Sequence, residues 1–243
     1  MKPYRLVACA ASLAILSAAG AVSAATTFTG TSSATFGTPT AGFGSVYSGV
    51  GTNDFTMGVP VDDTALNNRY LIDGVSFSTD ADTTFAVAGL TYRNGRTRTG
   101  TDVTSVPVDL LLAFTSPGGI GNQAFNFNFQ FNITPNSVDP ITDTANDDLL
   151  TVQNVQSSTV FTYLGNTYTL RLLGFGSNAN QLTSTFRLPE DQTTQSTLWA
   201  TISAPIEPPP TNAVPLPPAA WAGLGMLALF GAQKSFRRLR KHA

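Results

Sequence analysis

The chain has 243 residues, with thirteen Lys plus Arg, fifteen Asp plus Glu, one Cys and one His. Seven of the basic residues sit at the two ends, as do Cys9 and His242; the middle holds six arginines, no lysine and all fifteen acids, a formal charge of −9. Such a middle excludes Ser-His-Asp and Cys-His catalysis, disulfides, His/Cys zinc sites, a lysine nucleophile and a basic surface for nucleic acid.

Residues 1–25 predict a helical secretory signal peptide. Lys2 and Arg5 form its positive region, residues 6–16 its apolar stretch, and Val22-Ser23-Ala24-Ala25 the small residues that signal peptidase cleaves after. Eleven residues at the helical rise reach only about 17 Å, short of a hydrocarbon core of about 30 Å.

Residues 26–206 are then expected to form one all-β domain, a single antiparallel β-sandwich or jelly roll. Thr35-Phe36-Gly37-Thr38-Pro39 is weakly echoed by Thr56-Met57-Gly58-Val59-Pro60, as two copies of an edge hairpin would be. Strands are predicted over 70–78, 85–92, 97–103, 108–115, 124–133, 149–156, 159–164, 167–173, 181–188 and 197–203. The clearest is 124–133, where Phe125, Phe127, Phe129, Phe131 and Ile133 alternate with Asn126, Asn128, Gln130 and Asn132. Period two over ten residues gives one apolar and one wet face, so these phenylalanines are expected in the core. Asn94-Gly95 and Gly165-Asn166 are expected to close two hairpins through type I′ turns.

Few residues along this span suggest chemistry. Asp73, Asp80 and Asp82 are a sparse acidic group. Arg93, Arg96 and Arg98 gather three of the middle's six positive charges on the first hairpin, where they either protect an edge or bind an acidic glycan. Asp109, among apolar neighbours, is the best single candidate for a buried acid, although Pro107 predicts an edge strand that would turn it to water. Asn136, Asp139, Asp143, Asn146, Asp147 and Asp148 crowd one loop, and Asp139, Asp143, Asp147 and Asp148 are candidate ligands for calcium, which takes hard oxygens. Their spacing is not that of an EF-hand, and turn-forming residues in a solvated loop explain the same composition. No other cofactor is expected. Trp199, in an alternating strand, is expected in the core.

Residues 207–213 are a proline-rich spacer. Behind it come Val214, Pro215, Leu216 and Pro217, then an apolar run over 219–232 containing Trp221, Leu224, Leu227, Leu229 and Phe230, then the basic residues Arg237, Arg238, Arg240 and Lys241. Fourteen residues make about 21 Å of helix, short for a membrane span, and the basic cluster orients it with its end in the cytoplasm. This order over 214–243 resembles the PEP-CTERM sorting signal in its Val-Pro-Leu-Pro variant. The resemblance implies an exosortase-type protease as partner, transient membrane insertion through the helix, loss of the tail, and delivery to the cell surface or an exopolysaccharide matrix. A retained anchor is the alternative.

Gly49-Val50-Gly51-Thr52-Asn53-Asp54-Phe55-Thr56, Gly74-Val75-Ser76-Phe77, Leu90-Thr91-Tyr92-Arg93-Asn94-Gly95 and Asn132-Ile133-Thr134-Pro135-Asn136 with Asp139-Pro140 resemble, in this order, the choice-of-anchor K domain family. Met57 departs from it, standing where the family's run has tryptophan. The resemblance implies an exported bacterial domain with a C-terminal anchor and no known activity. The function expected is therefore a non-enzymatic surface or matrix protein associated with extracellular polysaccharide or biofilm. The alternatives are a calcium-dependent carbohydrate-binding module and, least favoured, a carboxylate-based glycoside hydrolase, which needs two acids in one cleft with one held protonated by burial.

Overall fold

A strand that alternates phenylalanine with asparagine needs a second layer to cover its apolar face, and the rest of the fold supplies it. The computed structural model describes residues 26–136, 138, 140–141 and 143–204. Two units divide the chain, Met1–Pro205 and Ile206–Ala243, and every described residue belongs to the first. The predicted signal peptide, spacer and sorting segment lie outside the described residues. In chain order the strands are β1 (Thr27–Phe36), β2 (Thr40–Ala41), β3 (Tyr47–Ser48), β4 (Asp54–Met57), β5 (Asn68–Gly74), β6 (Ser76–Asp80), β7 (Phe85–Arg93), β8 (Val103–Ser116), β9 (Asn122–Asn132), β10 (Asp148–Val152), β11 (Gln156–Tyr163), β12 (Asn166–Gly176), β13 (Thr185–Leu188) and β14 (Thr193–Ser203). Among the described residues no helix is long and apolar enough to cross a membrane.

The strands form two antiparallel sheets, so the all-β sandwich expected from the sequence is the fold. One sheet runs β13-β10-β9-β8-β1-β6, with β2 extending β8's edge beyond β1; the other runs β11-β12-β14-β7-β5-β4-β3. In β9, Phe125, Phe127, Phe129 and Phe131 are buried between the sheets while Asn126, Gln130 and Asn132 stay outside. Aromatic side chains form a connected part of the inter-sheet core beside many buried Val, Leu and Ile residues. Phe28 meets Phe114, Phe161 and Tyr168 edge-on at centroid distances of 5.8, 5.9 and 5.3 Å. Further along, Phe129 meets Phe175, and Tyr70 lies against Tyr92 and Phe131. Such pairs favour edge and tilted geometries because ring faces are negative and ring edges positive.

Several segments differ from the sequence expectation. The stretch 70–78 is two strands, because the chain crosses from one sheet to the other at Gly74-Val75. Ser32 of β1 stitches this corner: its backbone N–H donates to the Val75 carbonyl at 2.8 Å and its hydroxyl to the Val87 carbonyl at 2.6 Å. A side chain on Gly74 would stand 1.9 Å from the Ser32 carbonyl oxygen. Asn94-Gly95 closes no hairpin. Neither residue takes the left-handed conformation of a type I′ turn, β7 pairs with β5 and β14 instead, and Asn94 is buried in hydrogen bonds to distant residues. The β11–β12 hairpin is present, but its turn is Leu164-Gly165, at φ 49° and 79°, with Tyr163 opposite Asn166. Strand β1 escaped prediction because the three inward positions between Phe28 and Phe36 hold the small residues Gly30, Ser32 and Ala34.

Pro107 does not mark an edge. It lies in β8 between β1 and β9, and its missing N–H falls where β1 has ended and Gly37 donates to the Pro107 carbonyl at 2.8 Å. Asp109 is half-buried there and accepts a hydrogen bond from Asn126 across the strand pair. Trp199 is outside the buried core. A shift of register beside Leu198 breaks the alternation of β14, and the half-buried indole N–H donates to the Gly176 carbonyl at 2.9 Å.

The Gly74 corner is testable. Gly74→Ala is expected to lower stability in urea denaturation by roughly 1–3 kcal/mol through overpacking, whereas Gly118→Ala, with open space around it, changes stability by less than about 0.5 kcal/mol.

Candidate functional site

The aromatic filling stops at one end of the sandwich. There the connection from β7 crosses to the start of β8, β9 ends, and β10 begins. These elements enclose a cavity of about 660 Å³, lined by Asp102, Asp148 and Glu190 among others, with Phe131 on its apolar side. The sequence folds this way because β9 runs out of alternation after Ile133. The irregular segment Thr134-Pro135-Asn136 then leaves the sheet, and the 144–146 turn brings the chain back as β10.

Each carboxyl is held by its own donors. Asp148, 2% exposed, accepts from the Thr134 backbone N–H at 2.8 Å. Glu190, 1% exposed, accepts from the Asn94 amide at 2.9 Å on one oxygen and from the Asn136 amide at 2.7 Å on the other. Asp102, half-buried, accepts from the Asn68 amide at 3.0 Å and from the Thr97 hydroxyl at 2.5 Å. Asn68 in turn accepts from the Gly95 N–H at 2.7 Å, and the Tyr92 hydroxyl donates to Asn94 at 3.2 Å. Behind this network the Tyr70 hydroxyl, fully buried, has no partner at hydrogen-bonding geometry.

Two arginines, Arg96 and Arg98, line the cavity, but neither pairs with its acids. The ion pairs among the described residues are Arg69–Asp54 at 2.5 Å, Arg96–Asp191 at 3.0 Å and Arg187–Asp147 at 2.9 Å, and none includes the three cavity acids. Burial therefore pushes Asp148 up to about 7, aided by repulsion from Asp102 and opposed by the Thr134 N–H. Burial likewise raises Glu190 to about 7, with the charges of Asp148 and Asp191 adding to it. Asp102 is raised by burial against the pull of its Thr97 and Asn68 bonds. Both phenols, Tyr70 and Tyr92, are held well above their ordinary value, first by burial. A carboxyl that loses solvation without gaining a counter-charge keeps its proton.

The candidate calcium ligands separate. Asp143 caps the 144–146 turn by accepting from the Ala145 N–H at 2.8 Å. Asp147 turns to Arg187, and Asp148 faces the cavity; Asp139 lies outside the described residues. The neighbouring Asn146, fully buried, ties the loop together by donating to the Val138 carbonyl and accepting from the Val138 N–H. Among the described residues no group of three His, Cys, Asp or Glu side chains is arranged to hold a metal ion. Asp73 and Asp80 lie on different sheets and Asp82 in the turn after β6. The three arginines bind the protein itself: Arg93 donates to Asn67, Arg96 pairs with Asp191, and Arg98 donates to the Pro60 carbonyl. The sorting residues Val214, Pro215, Leu216 and Pro217, the apolar Trp221, Leu224, Leu227, Leu229 and Phe230, and the basic Arg237, Arg238, Arg240 and Lys241 are outside the described residues.

Sequence reasoning passed over Asp102, Glu190, Asn94 and the tyrosines. The one usable signal was Glu190, one of two glutamates in the chain, set directly after the apolar end of a strand in Leu188-Pro189-Glu190. No family model matches the chain, and no curated protein matches it.

The unpaired acids set the sign of the pH dependence. Their folded values lie above their unfolded ones, so the folded state binds more protons between about pH 4 and 7, and stability is lost as pH rises through about 7. Asp54, held down by its Arg69 hydrogen bond, and Asp62, held down by Thr64, act oppositely, but only below the ordinary carboxylate range. Scanning calorimetry from pH 5 to 8 is expected to show the melting temperature falling by at least about 3 °C, with a shallower fall in Asp148→Asn. A flat or rising profile would contradict uncompensated acids.

Proposed function

We propose that the chain is exported and displayed outside the cell, where its sandwich serves as a non-enzymatic, polysaccharide-associated surface module, and that its C-terminal segment is a sorting signal read by an exosortase-type protease. The observation that carries this reading is the order of features behind the domain. Ser203 closes the last strand; after it come a proline-rich spacer, Val214-Pro215-Leu216-Pro217, a short apolar run and a basic end. The resemblance to choice-of-anchor K domains supports the same location. An acidic domain without lysine or cysteine suits an oxidising, aqueous exterior, where net charge keeps it soluble.

The structure bears on the hydrolase alternative, since Asp148 and Glu190 are buried acids in one cavity. Their donors favour binding over catalysis. Both Glu190 oxygens accept from amide N–H groups, which orient the carboxyl as an acceptor, whereas a general acid must present a proton to the leaving oxygen. Calcium-dependent binding would have to draw Asp143, Asp147 and Asp148 away from the partners they now have.

Mass spectrometry of the exported chain tests the sorting claim. The expected product begins near Ala25 and lacks Arg237, Arg238, Arg240 and Lys241; a mature chain that keeps them would mean permanent anchoring instead. Incubation of the purified protein with exopolysaccharide is expected to release no reducing sugar, and release abolished by Glu190→Gln would establish the hydrolase.

A further inference from the structure

We propose that the outer edge of β11 pairs with the same edge of a second copy of this chain, antiparallel about a two-fold axis, so that two seven-stranded sheets join into one. β11 is the end strand of its sheet, with β12 on one side and no strand on the other among the described residues. Its backbone turns outward at defined positions. The two-residue turn Leu164-Gly165 makes Tyr163 and Asn166 the closing pair of the hairpin, so Tyr163 and Phe161 exchange bonds with β12, and the N–H and C=O groups of Val160 and Thr162 point away from it. The first part of the edge is covered by β9, where the Asn126 N–H donates to the Ser157 hydroxyl at 3.2 Å. Beyond it the edge opens: Val160 is 49% and Leu164 78% exposed, while Phe161 is buried and anchors the strand to the core.

The other end strands carry devices against such pairing. β3 has two residues, β6 has five and ends at Asp80, and β13 has four and includes Arg187. β11 has eight residues, none of them charged and none proline, and the uncharged stretch around it runs from Leu149 to Leu170. A long edge of this composition is a template for another strand.

Charge selects the occupant. The middle of the chain carries a formal −9, so two copies repel over most of their surfaces, and the neutral stretch is where they approach at least cost. A partner recognised by its charge would be basic and would settle on the acidic surfaces instead. The edge is also complementary to itself. With the axis at Phe161, Val160 of each copy exchanges both backbone bonds with Thr162 of the other, and the two β-branched side chains stand side by side. An isologous contact of this kind closes at two copies. It is small beside the area of a stable dimer, so it is weak in dilute solution and fills where copies are crowded on one surface. The inference rests on the fold and not on export or processing, because the mass of the mature chain is the same with or without pairing.

Sedimentation velocity of the purified full chain in mild detergent tests it, over roughly a hundredfold range of concentration. A reversible monomer–dimer equilibrium is expected, strengthened by added salt because the copies repel. Val160→Lys and Thr162→Pro are each expected to weaken it at least about fivefold; the first places a charge on the edge, and the second removes an N–H that β12 does not use. Val50→Lys, the same charge at an exposed position away from β11, leaves the dimer unchanged, and an unaltered melting temperature of Val160→Lys shows that its fold is intact. A chain that is monomeric at every concentration, or an association that both β11 variants retain, overturns the proposal.

Discussion

The aromatic layer between the sheets is the interaction on which everything else rests. Strands of this length present flat apolar faces, and rings in edge and tilted contact fill the space between them without long flexible side chains. The layer has two different ends. At Phe28, Phe114, Phe161 and Tyr168 it closes on itself, ring against ring. At the other end it finishes in Tyr70, Tyr92 and Phe131, and a phenol at the edge of a core brings a hydroxyl that requires polar company. Asn94, Asn68 and the acids gather around those hydroxyls, so the cavity begins where the packing stops.

How much of this was legible differs from strand to strand. Strand β9 was readable because large apolar residues alternate with polar ones over its whole length, and burial then follows the period without help from tertiary contacts. Strand β1 alternates too, but between the inward Phe28 and Phe36 it holds Gly30, Ser32 and Ala34, with Gly30 close to Ala113 of β8 and Phe77 of β6 and Ser32 bonded to Val75 and Val87; the pattern is size complementarity, which a single sequence does not display. The misplaced hairpin at Asn94-Gly95 shows the opposite failure. Asparagine-glycine carries a strong local turn preference, yet here the asparagine amide is committed to Leu188 and Glu190, far along the chain, and those bonds override it. The site was illegible for the same reason. Asp148 stands out only as one acid in a crowded loop, and Asp102 and Glu190 not at all, since what distinguishes them is burial and the lack of a cation, properties conferred by chain segments remote from each.

The composition explains why that lack persists. A domain that contains no lysine and six arginines has few cations to place, and most are spent on exposed or loop carboxylates and carbonyls: Arg69 on Asp54, Arg96 on Asp191, Arg187 on Asp147, Arg93 on Asn67. Arg96 and Arg98 line the cavity, but Arg96 pairs with Asp191 and Arg98 donates to the Pro60 carbonyl, so the three acids keep no ion pair. The site is therefore strained in a defined direction: toward neutral pH its buried acids hold protons that are costly to lose. These acids make the folded chain less stable as pH rises, because each deprotonation places an unpaired charge where burial has removed its solvation. The pH dependence of stability in this domain is therefore set by a group of carboxyls without ion pairs, placed at the end of the aromatic layer where the rings give out.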